Sequence, residues 1–237
     1  MILQTRVYTK IYTKNPLVSN SNFVVELFEM EKKTVTYAFI DAANLFYGGE
    51  KSLGWSIDYK KLLEYLKEKF GVRKAFYYAG VELNGFSYSI LDLKPIDLNK
   101  LLLFQKRKIS KNLSEAELLI VQKHLQRTKF YQKLEKFGYI MRLKPTKVYW
   151  ENDRPTKKAN CDVDMTFDLM RYMEQYSKAV ILSGDGDFAV VIKYLLGKKR
   201  KIDILARSER TAKEIRQLGG KKFMDFNYLR ERIKYKK

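Results

Sequence analysis

Val35-Thr36-Tyr37-Ala38-Phe39-Ile40-Asp41 is an apolar run of β-branched and aromatic residues that stops at an aspartate, and it predicts a buried β-strand. Residues 57–70 follow with apolar side chains at helical spacing. They predict a helix with Asp58 as its N-cap and Gly71 at its end. Residues 73–79 predict a second strand. A strand, a helix and a strand in this order form a βαβ unit, so the two strands should be parallel and joined by a right-handed crossover.

Strands and helices continue to alternate in the second half of the chain. The apolar patterns predict strands at residues 139–143, 179–182, 201–206 and near Phe223, and helices at residues 163–176, 188–196 and 209–218. Short, fully apolar strands are typical of the interior of a parallel sheet. The sequence therefore predicts an α/β fold with an open, mainly parallel sheet.

The chain is expected to contain one main domain with a segment on either side of it. Residues 1–33 form an N-terminal extension, residues 34–226 form the domain, and residues 227–237 form a basic C-terminal helix. Within the domain, residues at about 81–127 break the alternation and predict a mainly helical insertion.

Local signals add detail to the middle of the chain. Ser114 and Glu117 are spaced as a capping box that opens a helix, and a further helix is predicted at residues 128–137. Residues 144–160 contain two prolines and five basic residues, which predicts a mobile basic loop. His124 is expected at an exposed helix position and Cys161 as a small buried residue.

The net charge of +20 is extreme for 237 residues, and its distribution is uneven. Residues 105–160 and 197–237 each hold 15 basic and 5 acidic residues, whereas residues 161–196 hold 3 basic and 6 acidic residues. A basic surface attracts phosphates, and an acidic focus within it attracts cations. This distribution favours a protein that acts on a nucleic acid.

Composition excludes several other classes of protein. A single cysteine and a single histidine exclude a disulfide framework and a cysteine-rich zinc site, and they leave little room for serine–histidine or cysteine–histidine catalysis. No apolar run approaches the roughly 18 residues of a membrane span, and the N-terminus lacks the pattern of a signal peptide. The expected location is the cytoplasm, with no membrane partner. Nothing in the sequence indicates a homo-oligomer.

Aspartates stand where predicted strands end or helices begin. Asp41 ends the first strand, Asp162 and Asp164 open the helix at residues 163–176, and Asp185 and Asp187 follow the strand at residues 179–182. Each of them alone could be a helix cap, because first-turn acids suit the helix dipole. Together they lie at the carboxyl edge of the predicted sheet, where carboxylates repel one another unless a hard cation lies between them.

Three segments of the chain resemble the signature segments of NYN domains, which belong to the PIN-like nuclease superfamily. They are Phe39-Ile40-Asp41-Ala42-Ala43-Asn44-Leu45, Lys158-Ala159-Asn160-Cys161-Asp162-Val163-Asp164 and Ser183-Gly184-Asp185-Gly186-Asp187-Phe188. The resemblance covers roughly residues 34–80 and 128–226. Ala43 and Ala159 depart from the residues that are common in the family, but neither change removes a carboxylate.

This resemblance implies a Rossmann-like three-layer α/β/α sandwich and a cleft that binds Mg²⁺ or Mn²⁺. The implied activity is that of a metal-dependent ribonuclease, and we expect an endonuclease. Carried over by position, the catalytic and metal-binding residues are Asp41, Asp162, Asp185 and Asp187, and the supporting residues are Asn44, Ser183 and Asp164.

Basic residues are expected to bind the RNA. Lys157 and Lys158 adjoin the acidic segment and are the first candidates to hold a phosphate, while Lys198, Lys199 and Arg200 could follow the backbone further out. Tyr149 and Trp150 could stack on unpaired bases or pack on the core.

A PIN-like scaffold that binds RNA or a protein without cleaving it is the alternative function. Concentrated negative charge facing phosphate argues against it. A toprim-like site would need a glutamate after its first strand, and a phosphatase with an aspartyl nucleophile would need an Asp-x-Asp pair there. Asp41-Ala42-Ala43 matches neither pattern.

Overall fold

In a computed structural model, the described residues fold around a six-stranded sheet. The structure describes residues 34–46, 54–92, 94–111, 113–151 and 154–236. The strands of the sheet are β1 (Thr36–Asp41), β2 (Val72–Val81), β3 (Tyr139–Pro145), β6 (Lys178–Leu182), β7 (Lys201–Ala206) and β8 (Phe223–Asp225). They lie in the order β3-β2-β1-β6-β7-β8, and every neighbouring pair is parallel.

This strand order places a topological switch point between β1 and β6. The chain runs from β1 outward to β2 and β3, then crosses to β6 on the other side of β1 and continues outward to β8. In open α/β sheets, the crevice at the carboxyl ends of the two strands at such a point is where ligands bind.

Helices cover both faces of the sheet. The described α-helices of four or more residues are α1 (Tyr59–Phe70), α2 (Leu98–Ile109), α3 (Glu115–Phe137), α4 (Asp162–Arg171), α5 (Ala189–Gly197), α6 (Lys213–Gly219) and α7 (Arg230–Ile233). Alternate residues of β1 enter two separate cores: Ala38 and Ile40 pack with α1, α2, α3 and α7, while Tyr37 and Phe39 pack with α4, α5 and α6. The fold is therefore the three-layer α/β/α sandwich that was expected.

The first βαβ unit agrees closely with its prediction. The Asp58 carboxylate accepts hydrogen bonds from the backbone N–H groups of Lys60 and Lys61 at 3.1 Å, and so it caps the first turn of α1. Gly71 ends the helix at φ 68°, a left-handed conformation that favours glycine. β1 and β2 are parallel, as the unit requires.

The predicted insertion is a pair of helices that pack on each other, α2 and α3. The capping box at Ser114 and Glu117 is present. The prediction of a separate helix at residues 128–137 is wrong, because α3 continues without a break from Glu115 to Phe137. His124 lies on α3 and is buried rather than exposed, because the turn after β2 folds over it and Asn84 contacts its ring.

Two further expectations are corrected. Residues 144–160 are not a loop: β4 (Lys147–Glu151) and β5 (Arg154–Lys158) pair in antiparallel fashion as a separate two-stranded sheet. The basic C-terminal helix is short, since α7 ends at Ile233 and Lys234 forms an antiparallel bridge with Ile57. The N-terminal extension at residues 1–33 lies outside the described residues.

A buried carboxylate joins α4 to the sheet. Asp168 is 3% exposed and accepts hydrogen bonds from the Tyr78 hydroxyl at 3.0 Å, from Arg142 Nε at 2.7 Å and from Arg171 Nη2 at 2.6 Å. Burial, with Asp168 beside it, raises the pKa of Tyr78, so the phenol keeps its proton and remains a donor. Asp168 is thus a structural residue, whose charge is fully compensated.

We expect Asp168→Ala to lower the stability of the fold strongly. The change leaves Tyr78 and Arg142 without their buried partner, which costs about 3–5 kcal/mol. For a chain of this size that corresponds to a fall of about 10 °C in Tm, measured by circular dichroism.

Glu174→Gln is the matched control for this measurement. It removes the ion pair between Glu174 and Arg200, in which the glutamate side chain is 79% exposed, and should change the stability by less than about 1 kcal/mol. Equal Tm values for the two variants would contradict the structural role of Asp168.

Candidate functional site

The switch point brings aspartates from two neighbouring strands to one place. Asp41 is the last residue of β1, and Asp185 and Asp187 follow the end of β6. Asp162 is the first residue of α4 and reaches the same edge of the sheet. The site is therefore assembled from three segments that are more than 20 residues apart in the chain.

Three carboxylates form the centre of the site, which we call the acidic cluster: Asp162, Asp185 and Asp187. One oxygen from each lies within 4.8 Å of the others. Asp162 and Asp185 are half-buried, and Asp187 is exposed. Among the residues that the structure describes, no lysine or arginine forms an ion pair with these three carboxylates. Within the described part of the chain, no ion pair therefore compensates their negative charge.

Asp41 lies beside the acidic cluster and uses both of its oxygens in hydrogen bonds. Oδ1 accepts from the backbone N–H groups of Ala43 and Asn44, at 3.0 and 3.1 Å. Oδ2 accepts from the Ser183 hydroxyl at 3.1 Å, and Ser183 Oγ accepts from the backbone N–H of Asp185 at 3.2 Å. Ser183, which is buried, therefore connects the end of β1 to the loop that carries two of the cluster residues.

A second connection runs through Asn44. Its side-chain oxygen accepts the backbone N–H of Gly184 at 3.1 Å. Gly184 itself has no room for a side chain, because a Cβ there would lie 2.5 Å from Thr211 Oγ1 and 3.0 Å from Thr211 Cα. This close approach fixes the loop after β6 between β1 and the segment that precedes α6.

The pKa values reflect the concentration of negative charge. Burial raises the pKa of Asp41, and the nearby Asp185 adds to this, while hydrogen bonds from Asn44, Ser183 and Ala43 oppose it. Burial also raises the pKa of Asp162, and the charges of Asp41, Asp185 and Asp187 raise it further. A cation bound among these groups would relieve the repulsion.

The acidic cluster suits a hard divalent cation. Mg²⁺ binds oxygen at about 2.1 Å, so two of its ligand atoms are at most about 4.2 Å apart. The three oxygens lie within 4.8 Å of one another, which is only slightly more than this span. Oxygen donors alone do not distinguish Mg²⁺ from Mn²⁺.

The predicted supporting residues have different positions. Asn44 and Ser183 support the loop of the site, as described above. Asp164 lies outside the acidic cluster and pairs with Lys144, whose Nζ is 2.7 Å from Asp164 Oδ2. Cys161 precedes the cluster, and burial with Asp164 nearby raises the pKa of its thiol to about 12, so the thiol stays protonated.

Three of the predicted RNA-binding residues lie away from the site. Lys198, Lys199 and Arg200 lie between α5 and β7, at the amino-terminal edge of the sheet, opposite the aspartates. Arg200 also pairs with Glu174 at 2.9 Å. Their contact with an RNA backbone further out from the site stays a prediction. Lys157 and Lys158 end β5, and their side chains lie outside the described residues, as do those of Tyr149 and Trp150.

Sequence reasoning missed three residues of the site. Asn160 accepts the backbone N–H of Asp162 at 2.8 Å, Thr211 closes over Gly184, and Lys144 pairs with Asp164. Lys144 could have been found, because it stands at the carboxyl end of a predicted parallel strand. Thr211 could not have been found from the sequence, because only the folded chain brings Thr211 into contact with Gly184.

Comparisons with known proteins agree with the α/β fold and with the resemblance to NYN domains. The model of the NYN domain family matches residues 86–227. The match includes residues 86–127, which the resemblance was expected to leave out, and it does not include β1. The low amplitude and bright protein LabA of Synechococcus elongatus is 26% identical over 200 residues, which are 82% of this chain and 85% of LabA.

Solved structures also resemble the chain. VPA0982 of Vibrio parahaemolyticus, a protein of unknown function, is similar with a TM-score of 0.51 and 16% identity, covering 82% of this chain and 94% of that chain. The T5 5′-exonuclease with bound zinc gives a TM-score of 0.41 at 12% identity, covering 77% of this chain and 60% of that chain. The first likeness shows the fold, and the second is too weak to bear on function.

No helix in the described ranges is long and apolar enough to cross a membrane.

We expect divalent cations to stabilise the protein through the acidic cluster. Mn²⁺ at a concentration of about 100 times its Kd should add about 2.7 kcal/mol, or roughly 5 °C or more in Tm. Asp162→Asn removes one ligand and part of the repulsion. This variant should melt slightly above the wild type in EDTA and should lose most of the shift with Mn²⁺.

Glu174→Gln again serves as the control, since Glu174 follows α4, near the opposite edge of the sheet, and its variant should keep the full shift. An equal Mn²⁺ shift in the wild type and Asp162→Asn would show that the metal binds elsewhere.

Proposed function

Since the chain belongs to the NYN domain family, we propose that it is a divalent-metal-dependent ribonuclease that cleaves RNA internally. The acidic cluster is the observation that supports this most strongly. Three carboxylates lie within 4.8 Å at the switch point of a parallel sheet, without a cationic partner among the described residues. A protein that only bound RNA would gain nothing from such a charge, because it repels phosphate.

The proposed roles follow from the geometry. Asp162, Asp185 and Asp187 would hold Mg²⁺ or Mn²⁺. The bound ion would supply positive charge to the phosphate oxygens and lower the pKa of an attacking water. Asp41 would act at the rear of the site, where it fixes Ser183 and adds negative charge.

Ser183 and Asn44 position the loop of the site. Ser183 accepts a hydrogen bond from the backbone N–H of Asp185, and Asn44 accepts one from the backbone N–H of Gly184. The spacing between Asp162, on α4, and the other two cluster residues depends on these two hydrogen bonds. This arrangement supports a role for Ser183 and Asn44 in orientation rather than in chemistry.

RNA is the proposed substrate because of the charge of the chain and its family. A net charge of +20 favours association with a polyanion, and the three carboxylates of the acidic cluster would repel phosphate unless a cation is present. Binding and cleavage are therefore both expected to depend on the metal.

We expect the wild type to cut labelled single-stranded or structured RNA in Mg²⁺ or Mn²⁺ and to be inactive in EDTA. Asp185→Asn should lower kcat by about a hundredfold or more, since it removes a metal ligand. DNA of the same sequence is tested alongside, and Glu174→Gln should retain full activity.

Two outcomes would overturn the proposal. Metal-dependent binding of RNA without cutting, in both the wild type and Asp185→Asn, would identify a non-catalytic RNA-binding protein. Cutting that persists in Asp185→Asn would mean that the acidic cluster is not the active site.

Ser183→Ala should weaken the binding of Mn²⁺ by about tenfold, because the loop that carries Asp185 loses its connection to Asp41. The affinity is measured by titration with Mn²⁺ and electron paramagnetic resonance. Ser177→Ala is the matched control, since Ser177 bonds to Val35 at the opposite edge of the sheet and should not change the affinity. Equal affinities in the two variants would exclude this role of Ser183.

A further inference from the structure

An ion pair stands beside the acidic cluster without belonging to it. Lys144, near the carboxyl end of β3, donates a hydrogen bond to Asp164 on the first turn of α4, at 2.7 Å. The two side chains are 30% and 42% exposed. Solvent therefore reaches both groups, and a bound substrate could reach them as well.

The packing of β3 places this pair next to the cluster. Lys144 lies opposite Gly80 in the register of β2 and β3, and a Cβ at Gly80 would lie 2.6 Å from Ala159 Cβ. Ala159 leads directly into Cys161 and Asp162. Asp164, the partner of Lys144, follows Asp162 by two residues in the first turn of α4. Lys144 therefore lies beside the segment that carries Asp162 into the acidic cluster.

The ion pair is of a kind that changes partners easily. An exposed pair of one lysine and one aspartate contributes little to stability, because water screens it and two flexible side chains must be ordered. Arg142, two residues earlier on β3, is in a different situation. Its partner Asp168 has a side chain that is only 4% exposed, and its other hydrogen bond goes to the Tyr172 hydroxyl at 3.0 Å. Arg142 is fixed by the core, whereas Lys144 is held by a weak partner.

We propose that Lys144 leaves Asp164 when RNA binds and contacts a phosphate of the RNA next to the acidic cluster. Asp164 is then the resting partner of Lys144, which it keeps at the edge of the site, and is not a metal ligand. This inference rests on the proposed ribonuclease function. It adds a substrate contact that the distant Lys198–Arg200 tract does not account for.

The first test replaces Lys144 by methionine. KM for RNA should rise about five- to tenfold while kcat changes little, because a phosphate contact away from the reacting atoms contributes to binding. The slope of log KM against log salt should become less steep by about 0.7 for a single-stranded substrate, which corresponds to one lost phosphate contact. A purely structural role of Lys144 would not change this slope.

Two control variants accompany it. Lys67→Met removes an exposed positive charge in the last turn of α1, at the amino-terminal edge of the sheet, and should change neither KM nor the slope. Lys144→Arg keeps the charge and should retain most of the binding. Tm values of all variants confirm that the fold is intact.

The second test uses Asp164→Asn, alone and combined with Lys144→Met. Releasing Lys144 should lower KM about threefold, and this gain should vanish in the Lys144→Met background. A gain that persists there would show that Asp164 acts only by repelling RNA, which overturns the inference. A loss of kcat or a weaker affinity for Mn²⁺ in Asp164→Asn would show that Asp164 is part of the metal site. That result would also overturn the inference.

The two proposals fail in different ways. If the wild type cuts RNA and Asp185→Asn does not, but Lys144→Met equals Lys67→Met, only the role of Lys144 is wrong. If the wild type does not cut RNA under any metal condition, both proposals fall together.

Discussion

The hydrogen bonds between the end of β1 and the loop after β6 are the constraint on which the site depends. Carboxylates that repel one another do not gather unless the backbone holds them, and here Ser183 links Asp41 to Asp185 while Asn44 holds Gly184. The parallel pairing of β1 with β6 brings these groups to one edge. Gly184 and Thr211 complete the arrangement, because their close approach leaves the loop little freedom to relax away from the cluster. The geometry of the site is thus a consequence of the strand order.

Two aspartates of the helix α4, less than two turns apart, have opposite electrostatic environments. Asp168 is buried, and one tyrosine and two arginines compensate it. Asp162, at the start of the helix, has a raised pKa and no ion pair among the described residues. A fold selected only for stability would gain by compensating both. The contrast supports the proposal that a bound cation relieves the repulsion at Asp162.

Local rules predicted what local interactions determine. The cap at Asp58, the stop at Gly71 and the capping box at Ser114 involve neighbours in sequence, and all three are present. The β4–β5 hairpin was missed because Pro155 indicated a loop. In a separate two-stranded sheet, however, a proline lies opposite Trp150 without breaking a central ladder. His124 was misplaced for a related reason, since a segment 40 residues away covers it. The motifs of the site could be predicted from sequence, but the partners that hold them could not.

Charge counting along the chain also could not tell which edge of the sheet a basic tract occupies. A strand of six residues is about 20 Å long, and charges are screened over about 8 Å at physiological salt. The tract from Lys198 to Arg200 lies at the amino-terminal edge, so it adds almost nothing to the potential at the acidic cluster. Its charge can bring a polyanion to the protein, but it cannot orient that polyanion against the aspartates. Under the proposed function, orientation would come from groups at the carboxyl edge, such as Lys144. A single half-exposed lysine would then contribute more to the proposed reaction than the much larger charge at the opposite edge.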